Sequence, residues 1–552
     1  MRQGGRILAD HLAAYGVDRV FSVPGESFLA ALDGLYERGI RNIVCRHEGG
    51  AAMMAEATGK LTGRPGIAFV TRGPGATNAA AGVHVARQDS TPMILFVGQI
   101  ARGHRDREAF QEVDYRSLFG GVAKWVTEVD QTARLPEYIS RAFHVAMSGR
   151  PGPVVLALPE DMLAEEADVP DLPAPVAPLR GVTAEEAATV AAAIRAAERP
   201  LLVVGGPHWS ADAAQELQAF AEAWHLPVAV SFRRQDRIDN ASSAYVGDLG
   251  VGSNPKLKAR LKAADLVVAI GTRMGDIVTD GYEVIDPAHP PRLVHVHSDP
   301  DEIGRVFRPG LSVVATAPAM VAALAALPVP NARAWDGWAD AARAEHETWQ
   351  KPVPTPGDVR LEEVMCWLAD TLPDDAVMTN GAGNYAAFLH RYHRFHRYGT
   401  QVAPTSGSMG YGFPAAIAAK LHRPDRVVVC MAGDGCFQMT LNEMSTAMQH
   451  GAAVITIVAN NGRYGTIRMH QEREYPGRVS GTDLANPDYA ALARAYGGHG
   501  ETIERQEDFP AAFARARASG LPAVIELRLD PRMLTTGQTV EQVRAAAMAR
   551  KA

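Results

Sequence analysis

Cysteine is scarce in this sequence: Cys45, Cys366, Cys430 and Cys436 are the only four in 552 residues, and no two are spaced as CxxC. That argues against a disulfide framework or structural zinc, and it makes a reducing cytoplasm the natural compartment. Long apolar runs are missing too. No stretch reaches the 18 residues or so that a membrane span needs, and the opening "MRQGGRILADHLAAYGV" reads as an amphipathic helix, not a basic segment followed by a signal core. Neither export nor membrane insertion is expected. Blocks of like charge are absent as well; with a net charge of -7 and a pI near 6.2, nothing suggests a nucleic-acid groove or a polybasic membrane patch. The expected partners are small molecules and further copies of the chain.

What is present is an alternation of short apolar runs and longer helical patterns. The runs are "VDRVFSV", "GIAFVT", "PMILFVG", "PVVLALP", "PLLVVGG", "ADLVVAIG", "RLVHVHSD", "RVVVCMAGDG", "AVITIVANN" and "PAVIELRLD". Near-continuous Val, Ile and Leu bounded by Gly, Pro, Asn or Asp predicts parallel strands buried on both faces, hence an α/β chain of doubly wound domains. Two proline-rich stretches, Glu165 to Gly181 and Pro352 to Asp358, read as linkers. They divide the chain into domains of about 1–165, 182–330 and 358–552. The first and third each hold a comparable series of strands ending in glycine-rich turns.

The run "VVVCMAGDGCFQM" stops at Asp434, set between Gly433 and Gly435. Asp-Gly is a common turn; an Asp at the carboxyl end of a buried strand, flanked by glycines, is also how a phosphate or metal site begins. Twenty-four residues separate Gly435 from Asn460, enough for a helical crossover to a second parallel strand, which brings Asn460 and Asn461 to the same edge. One carboxylate with an amide oxygen is a sparse oxygen set that suits magnesium completed by phosphate and water. "NGAGNYAAF" and "TSGSMGYGFPAAIAAK" supply two further glycine-rich turns leading into helices.

Together these motifs resemble the thiamine diphosphate (ThDP) enzymes, whose signature is GDG followed at this spacing by NN, and most of all the acetohydroxyacid synthase, or acetolactate synthase-like, group. "VFSVPGES", "CRHEGGAAMMAEATGKLTGRPGIAFVTRGPGATN", "DSTPMILFVGQ", "FQEVD", "GSMGYGFPAAIAA", "GDGCF", "NNGRYG" and "GRVSGTDLANPDYAALARAYG" follow in the expected order. The resemblance implies a pyrimidine-binding, a central and a diphosphate-binding domain. Glu48 matches the glutamate that hydrogen-bonds the ThDP pyrimidine and favours its imino tautomer. Met409 matches the large apolar residue that holds the cofactor's two rings in a V. Asp434 and Asn461, with the backbone carbonyl of Arg463, match the magnesium ligands. Gly383, Asn384, Tyr385, Gly407, Gly433, Gly435, Cys436, Tyr464 and Gly465 match turns around the cofactor. Because Glu48 and Asp434 lie in different domains, the family pattern implies a site shared between subunits, with a homodimer as the minimum and a homotetramer expected.

The implied reaction is decarboxylation of a 2-keto acid such as pyruvate and addition of the resulting enamine to a second carbonyl, a transferase-type carboligation. The alternative is a ThDP-dependent 2-keto acid decarboxylase or a lyase of the 2-hydroxyacyl-CoA or oxalyl-CoA type. Gln99 and Lys124 occupy positions where the group places a substrate-side glutamine and lysine. Phe110, Gln111 and Glu112 match a loop that approaches the site. Met469 and His470 stand where synthases selective for 2-ketobutyrate have glutamine and tryptophan, a departure that changes pocket shape and polarity. In the middle domain "GTRMGD" resembles the segment that meets FAD, with Arg273 as the matching residue; related enzymes keep this domain without flavin.

Overall fold

The structure, a computed structural model, describes residues 1–285 and 292–551. Three six-stranded sheets, each parallel throughout, carry the three α/β domains. The predicted opening helix forms at Gly4–Ala14, and all ten predicted strands form.

In chain order, the first sheet has Arg19–Ser22, Arg41–Val44, Gly66–Val70, Met93–Gln99, Trp125–Glu128 and Pro153–Pro159. Across the sheet these run second, first, third, fourth, sixth, fifth. The last sheet has Val377–Asn380, Gln401–Val402, Val428–Gly433, Ile455–Asn460, His499–Ile503 and Ala523–Arg528, laid out in the same order. The middle sheet differs. Its strands, Pro200–Val204, Val228–Ser231, Tyr245–Leu249, Leu266–Ile270, Arg292–His297 and Leu311–Val314, run third, second, first, fourth, fifth, sixth. This is the order of dinucleotide-binding folds.

The middle sheet shows why the apolar runs are continuous. Leu202, Val204, Val268 and Ile270 pack on one side with Leu217, Phe220 and Trp224. Their neighbours Leu201, Val203, Val267 and Ala269 pack on the other with Leu257, Leu261 and Met274. Successive side chains point to opposite faces, and both faces are covered.

The chain forms two compact units; one border, between 178 and 179, falls within the first linker, whereas Pro352 to Asp358 marks no border. One comprises 1–178, 404–425 and 440–454; the other comprises 179–403, 426–439 and 455–552. The first unit therefore takes in two helices, Gly412–His422 and Met444–His450, that follow the first 400 residues in sequence. Gly412–His422 packs on helix Glu48–Thr62, which in turn lies close to helix Pro74–Asp89. Small residues make that last approach feasible: a Cβ on Gly82 would stand 2.4 Å from the Ala52 Cβ.

Candidate active site

In the second unit, the expected diphosphate and metal residues gather at the carboxyl edge of the last sheet. Strands Val428–Gly433 and Ile455–Asn460 are parallel neighbours with Gly433 opposite Ala459, so the turns that follow them emerge side by side. The Gly433-Asp434-Gly435 turn is held between two tyrosine rings. A Cβ on Gly433 would come within 3.0 Å of the Tyr385 ring, and one on Gly435 within 2.4 Å of the Tyr464 ring. Packing requires glycine after the aspartate and leaves little room for a side chain before it. The Tyr385 hydroxyl accepts from the Gly381 amide at 3.1 Å and donates to the Cys436 sulfur at 3.3 Å, which makes Cys436 a buried strut.

Asp434 itself is 3% exposed. Its Oδ1 accepts from the Gly435 amide at 2.8 Å; its Oδ2 accepts from the Gly462 amide at 2.9 Å and the Asn486 side-chain amide at 2.8 Å. Burial pushes the carboxyl upward in pKa, and these N–H donors, with the Arg463 amide, pull against that shift. No ion pair among the described residues involves Asp434, and Oδ1, with one hydrogen bond, keeps acceptor capacity. That is a fit for a divalent cation.

Asn460 turns inward. Its Nδ2 donates to buried Glu526 at 2.6 Å, and its Oδ1 accepts from Gly462 at 3.1 Å and Asn486 at 2.9 Å. Asn461 is half-buried on the turn, beside Gly465, where a Cβ would lie 3.3 Å from its Nδ2. Asn384 is tied down: its backbone amide and Oδ1 meet the Thr466 hydroxyl at 3.0 and 2.9 Å, and its Nδ2 donates to the Leu534 carbonyl at 2.6 Å. The same Nδ2 lies 3.6 Å from the Met469 sulfur. His470 is exposed and takes a hydrogen bond from Arg473 at 3.0 Å; partial burial and that guanidinium lower its pKa.

Two residues here carry weight that sequence reasoning missed. Asn486 bridges Asp434 and Asn460, and the Tyr489 hydroxyl donates to the Asp434 carbonyl at 3.0 Å. The signal available was an Asn-Pro step just ahead of an Asp-capped helix, Tyr489–Ala495.

In the first unit, Glu48 is the first residue of helix Glu48–Thr62, half-buried, with Oε2 accepting from Asn78 at 3.0 Å. Glu443, fully buried and also missed in sequence, sets that helix start. Its carboxylate accepts from the Arg46 and His47 amides at 3.2 and 3.0 Å and from the Thr446 hydroxyl at 2.6 Å. Gly50 is obligatory beneath it, since a Cβ would stand 2.4 Å from the Glu443 carboxylate. Met409 is half-buried in the segment between Gly407, at φ +68°, and Gly410, at φ +78°.

The substrate-side expectations fare differently. Gln99, 3% exposed, spends its amide on Val113 at 3.1 Å, Glu128 at 3.3 Å and the Ile100 amide at 3.0 Å. Lys124 precedes strand Trp125–Glu128, at the amino edge of the sheet, whereas Glu48 follows the carboxyl end of Arg41–Val44. Its ammonium donates to the Val145 and Ser148 carbonyls at 2.6 and 2.7 Å, closing the end of helix Leu135–Met147. The fold therefore does not bring Lys124 to the edge that carries Glu48. Phe110 is 75% exposed, Gln111 leans on Gly73, and Glu112 accepts amides of its own loop, Asp106 at 2.8 Å and Ala109 at 2.9 Å.

The middle sheet lacks the dinucleotide arrangement despite its order. After Pro200–Val204 the Gly205-Gly206 turn does not open a helix; helix Ala211–Trp224 starts later, capped by Ser210, and the Trp209 indole donates to the Gly205 carbonyl at 2.8 Å. Gly206 rests on the Gly271 carbonyl so closely that a Cβ would clash at 1.9 Å. After Val228–Ser231 come Phe232 and Arg233 where a ribose-binding acid belongs. Arg273 pairs with Glu302 at 3.3 Å. These residues do not fit FAD bound in that manner.

Comparison with known proteins agrees with this layout. Residues 2–118, 187–324 and 381–527 match, in order, the N-terminal TPP binding domain, the central domain and the C-terminal TPP binding domain of thiamine pyrophosphate enzymes. The chain is 33% identical to the acetolactate synthase large subunit of Parasynechococcus marenigrum, over 95% of this chain and 87% of that protein. It is 31% identical to the acetolactate synthase isozyme 2 large subunit of Escherichia coli, over 96% and 95%. The corresponding protein of Corynebacterium glutamicum is 31% identical over 95% and 86%.

Proposed function

The chain belongs to the thiamine pyrophosphate enzymes, on their acetolactate synthase-like branch, and from that premise we propose a ThDP- and magnesium-dependent carboligase acting on a pyruvate-like 2-keto acid. The observation that carries the reading is the Asp434 turn: a buried carboxylate held by neutral N–H donors, without a cationic partner among the described residues, offered between two glycines at a sheet edge. When bound, ThDP supplies the nucleophilic carbon and the electron sink. The chain's residues do the rest. Asp434, Asn461 and the Arg463 carbonyl hold magnesium, and the turns at Gly383–Tyr385 and Gly433–Cys436 face the diphosphate. Glu48 holds a proton against the pyrimidine, on a helix start that Glu443 fixes. Met409 supports the cofactor's folded shape, with Gly407, Tyr464 and Gly465 shaping the turns around it. The minimum active unit is a homodimer, with a tetramer built on it, and the central domain does not hold FAD in the manner of a dinucleotide-binding fold. Among the described residues no helix is long and apolar enough to cross a membrane.

Met469 and His470 shape the acceptor side, and they are why the second reading, simple decarboxylation, is kept in the test. Purified protein with ThDP, magnesium and a panel of 2-keto acids is analysed by mass spectrometry. Acetolactate or a homologue supports carboligation; acetaldehyde alone shifts the chain to the decarboxylases; no turnover of any 2-keto acid overturns both. A featureless visible spectrum is expected of the same preparation, and flavin bands near 450 nm, about where oxidised flavin absorbs, would reverse the statement on FAD.

A further inference from the structure

A cluster of charged side chains lies in the interior of the first unit, away from Glu48 and unused by the reaction. Glu56 is fully buried, Asp89 is 4% exposed, and the Lys60 side chain is 7% exposed. Lys60 pairs with both: its ammonium is 3.2 Å from Glu56 and in contact with Asp89. Two carboxylates and one ammonium in an apolar interior are costly to desolvate, and that cost is offset only where every remaining lone pair finds a donor.

Thr91 hydrogen-bonds Glu56 as well; further donors come from one short segment. The Thr405 backbone amide donates to Asp89 Oδ1 at 2.7 Å, and the Thr405 hydroxyl donates to the same oxygen. Six residues later, the Tyr411 hydroxyl donates to Glu56 Oε2; Lys60 reaches that hydroxyl at 3.2 Å and stands 4.9 Å from the centre of the Tyr411 ring. A third tie, from the Thr440 hydroxyl to the Gly410 carbonyl at 2.7 Å, fixes the same end. Between the anchors the backbone passes through two left-handed glycines, Gly407 and Gly410, and presents Met409 at its tip. Glu56 and Lys60 lie on the helix whose first residue is Glu48.

We infer that Glu56, Lys60 and Asp89 are positioning residues that clamp both ends of the segment Thr405–Tyr411 and thereby fix Met409 relative to the helix that starts at Glu48. The inference rests on the ThDP reading for the meaning of Met409, but the clamp itself is a property of the apo chain. It makes the height of Met409 a quantity set by buried ion pairs, with the flexible glycine backbone free to move only once those pairs let go.

The test uses Thr405→Val and Tyr411→Phe, which each remove one hydroxyl and leave the buried charges paired, with Met409→Ala as reference. In apo-protein, amide hydrogen exchange of peptides covering 403–412 should speed up about tenfold or more, while exchange of helix Glu48–Thr62 stays within about threefold. With ThDP and magnesium added, hydrogen–deuterium exchange at the thiazolium carbon should slow about tenfold, ThDP affinity should change less than about threefold, and neither substitution should slow it further once Met409→Ala is present. Unchanged exchange in 403–412, or a uniform rise across the whole unit, would overturn the clamp. So would full additivity with Met409→Ala. If the unmodified protein fails to bind ThDP, the proposed function falls, and the apo-protein exchange still decides the clamp.

Discussion

In the first sheet the crevice between the first and third strands is filled: the Arg72 guanidinium, 7% exposed, donates to Glu26 and Glu160 at 3.2 Å each, Ser27 and Thr71 share a hydrogen bond at 2.9 Å, and Gly25 is pressed against Thr71. In the last sheet, which has the same strand order, that crevice is edged by Gly381 to Asn384 and by the Gly433–Gly435 turn. The switch point of such a sheet is where ligands bind. One copy is closed by ion pairs and carries Glu48, the proposed proton-holding glutamate, one strand further out, after Arg41–Val44; in the other, the residues proposed for the diphosphate and magnesium stand at the switch point. A shared architecture thus fixes where groups can be placed and leaves their chemistry to a few turn residues.

The contrast can be broken most directly at Asp434. Asp434→Ala should abolish magnesium-dependent ThDP binding and lower turnover about a thousandfold or more, read by cofactor titration with and without magnesium. Retained affinity would mean that the last sheet does not hold the metal. Glu48→Gln should keep ThDP affinity and lower turnover about a hundredfold, because only proton transfer is affected. A loss of affinity as large as that of Asp434→Ala would erase the distinction between the two edges.

Acidification should separate the two units. His346 and His393, both in the second, are held neutral by burial, each pushed down to about 3. An unfolded histidine binds its proton near pH 6.5, so their contribution to stability is complete above that value and is lost as pH falls from there toward 3. At pH 5 the loss is about 2 kcal/mol for each. Hydrogen exchange at pH 7 and 5, corrected for intrinsic rates, should show the second unit weakening more; in the first, His422, pushed down to about 4 by burial, is the counterpart. Equal weakening would refute this. The smallest effect is expected from Arg72→Met: about 1 kcal/mol of stability by denaturant titration, since Glu26 is largely solvated and Glu160 partly so, with magnesium affinity unchanged.

Ten strands were legible in the sequence because they are apolar on both faces. The eight that were not include the outermost strands of all three sheets, such as Arg41–Val44, Trp125–Glu128 and His499–Ile503, which are short, half-exposed and carry charges. Asp434 and its glycines were legible because turn chemistry is local. Asn486, Tyr489 and Glu443 were not, since their partners lie 26 to 397 residues away. Lys124 shows the opposite failure: a motif position names a residue type, and only the register of Trp125–Glu128 reveals that its ammonium closes a helix at the far edge.

The first unit is completed only by residues 404–425 and 440–454, and this has a consequence for synthesis. When residue 178 leaves the ribosome, helix Glu48–Thr62 has no Gly412–His422 to cover it, and Glu56 and Asp89 lack Tyr411 and Thr405. At about 5–20 residues per second the missing pieces arrive roughly 15–55 s later. For that interval the nascent chain carries an apolar helix face with unsolvated charges behind it, so the first 178 residues expressed alone should be a chaperone client and not a folded domain.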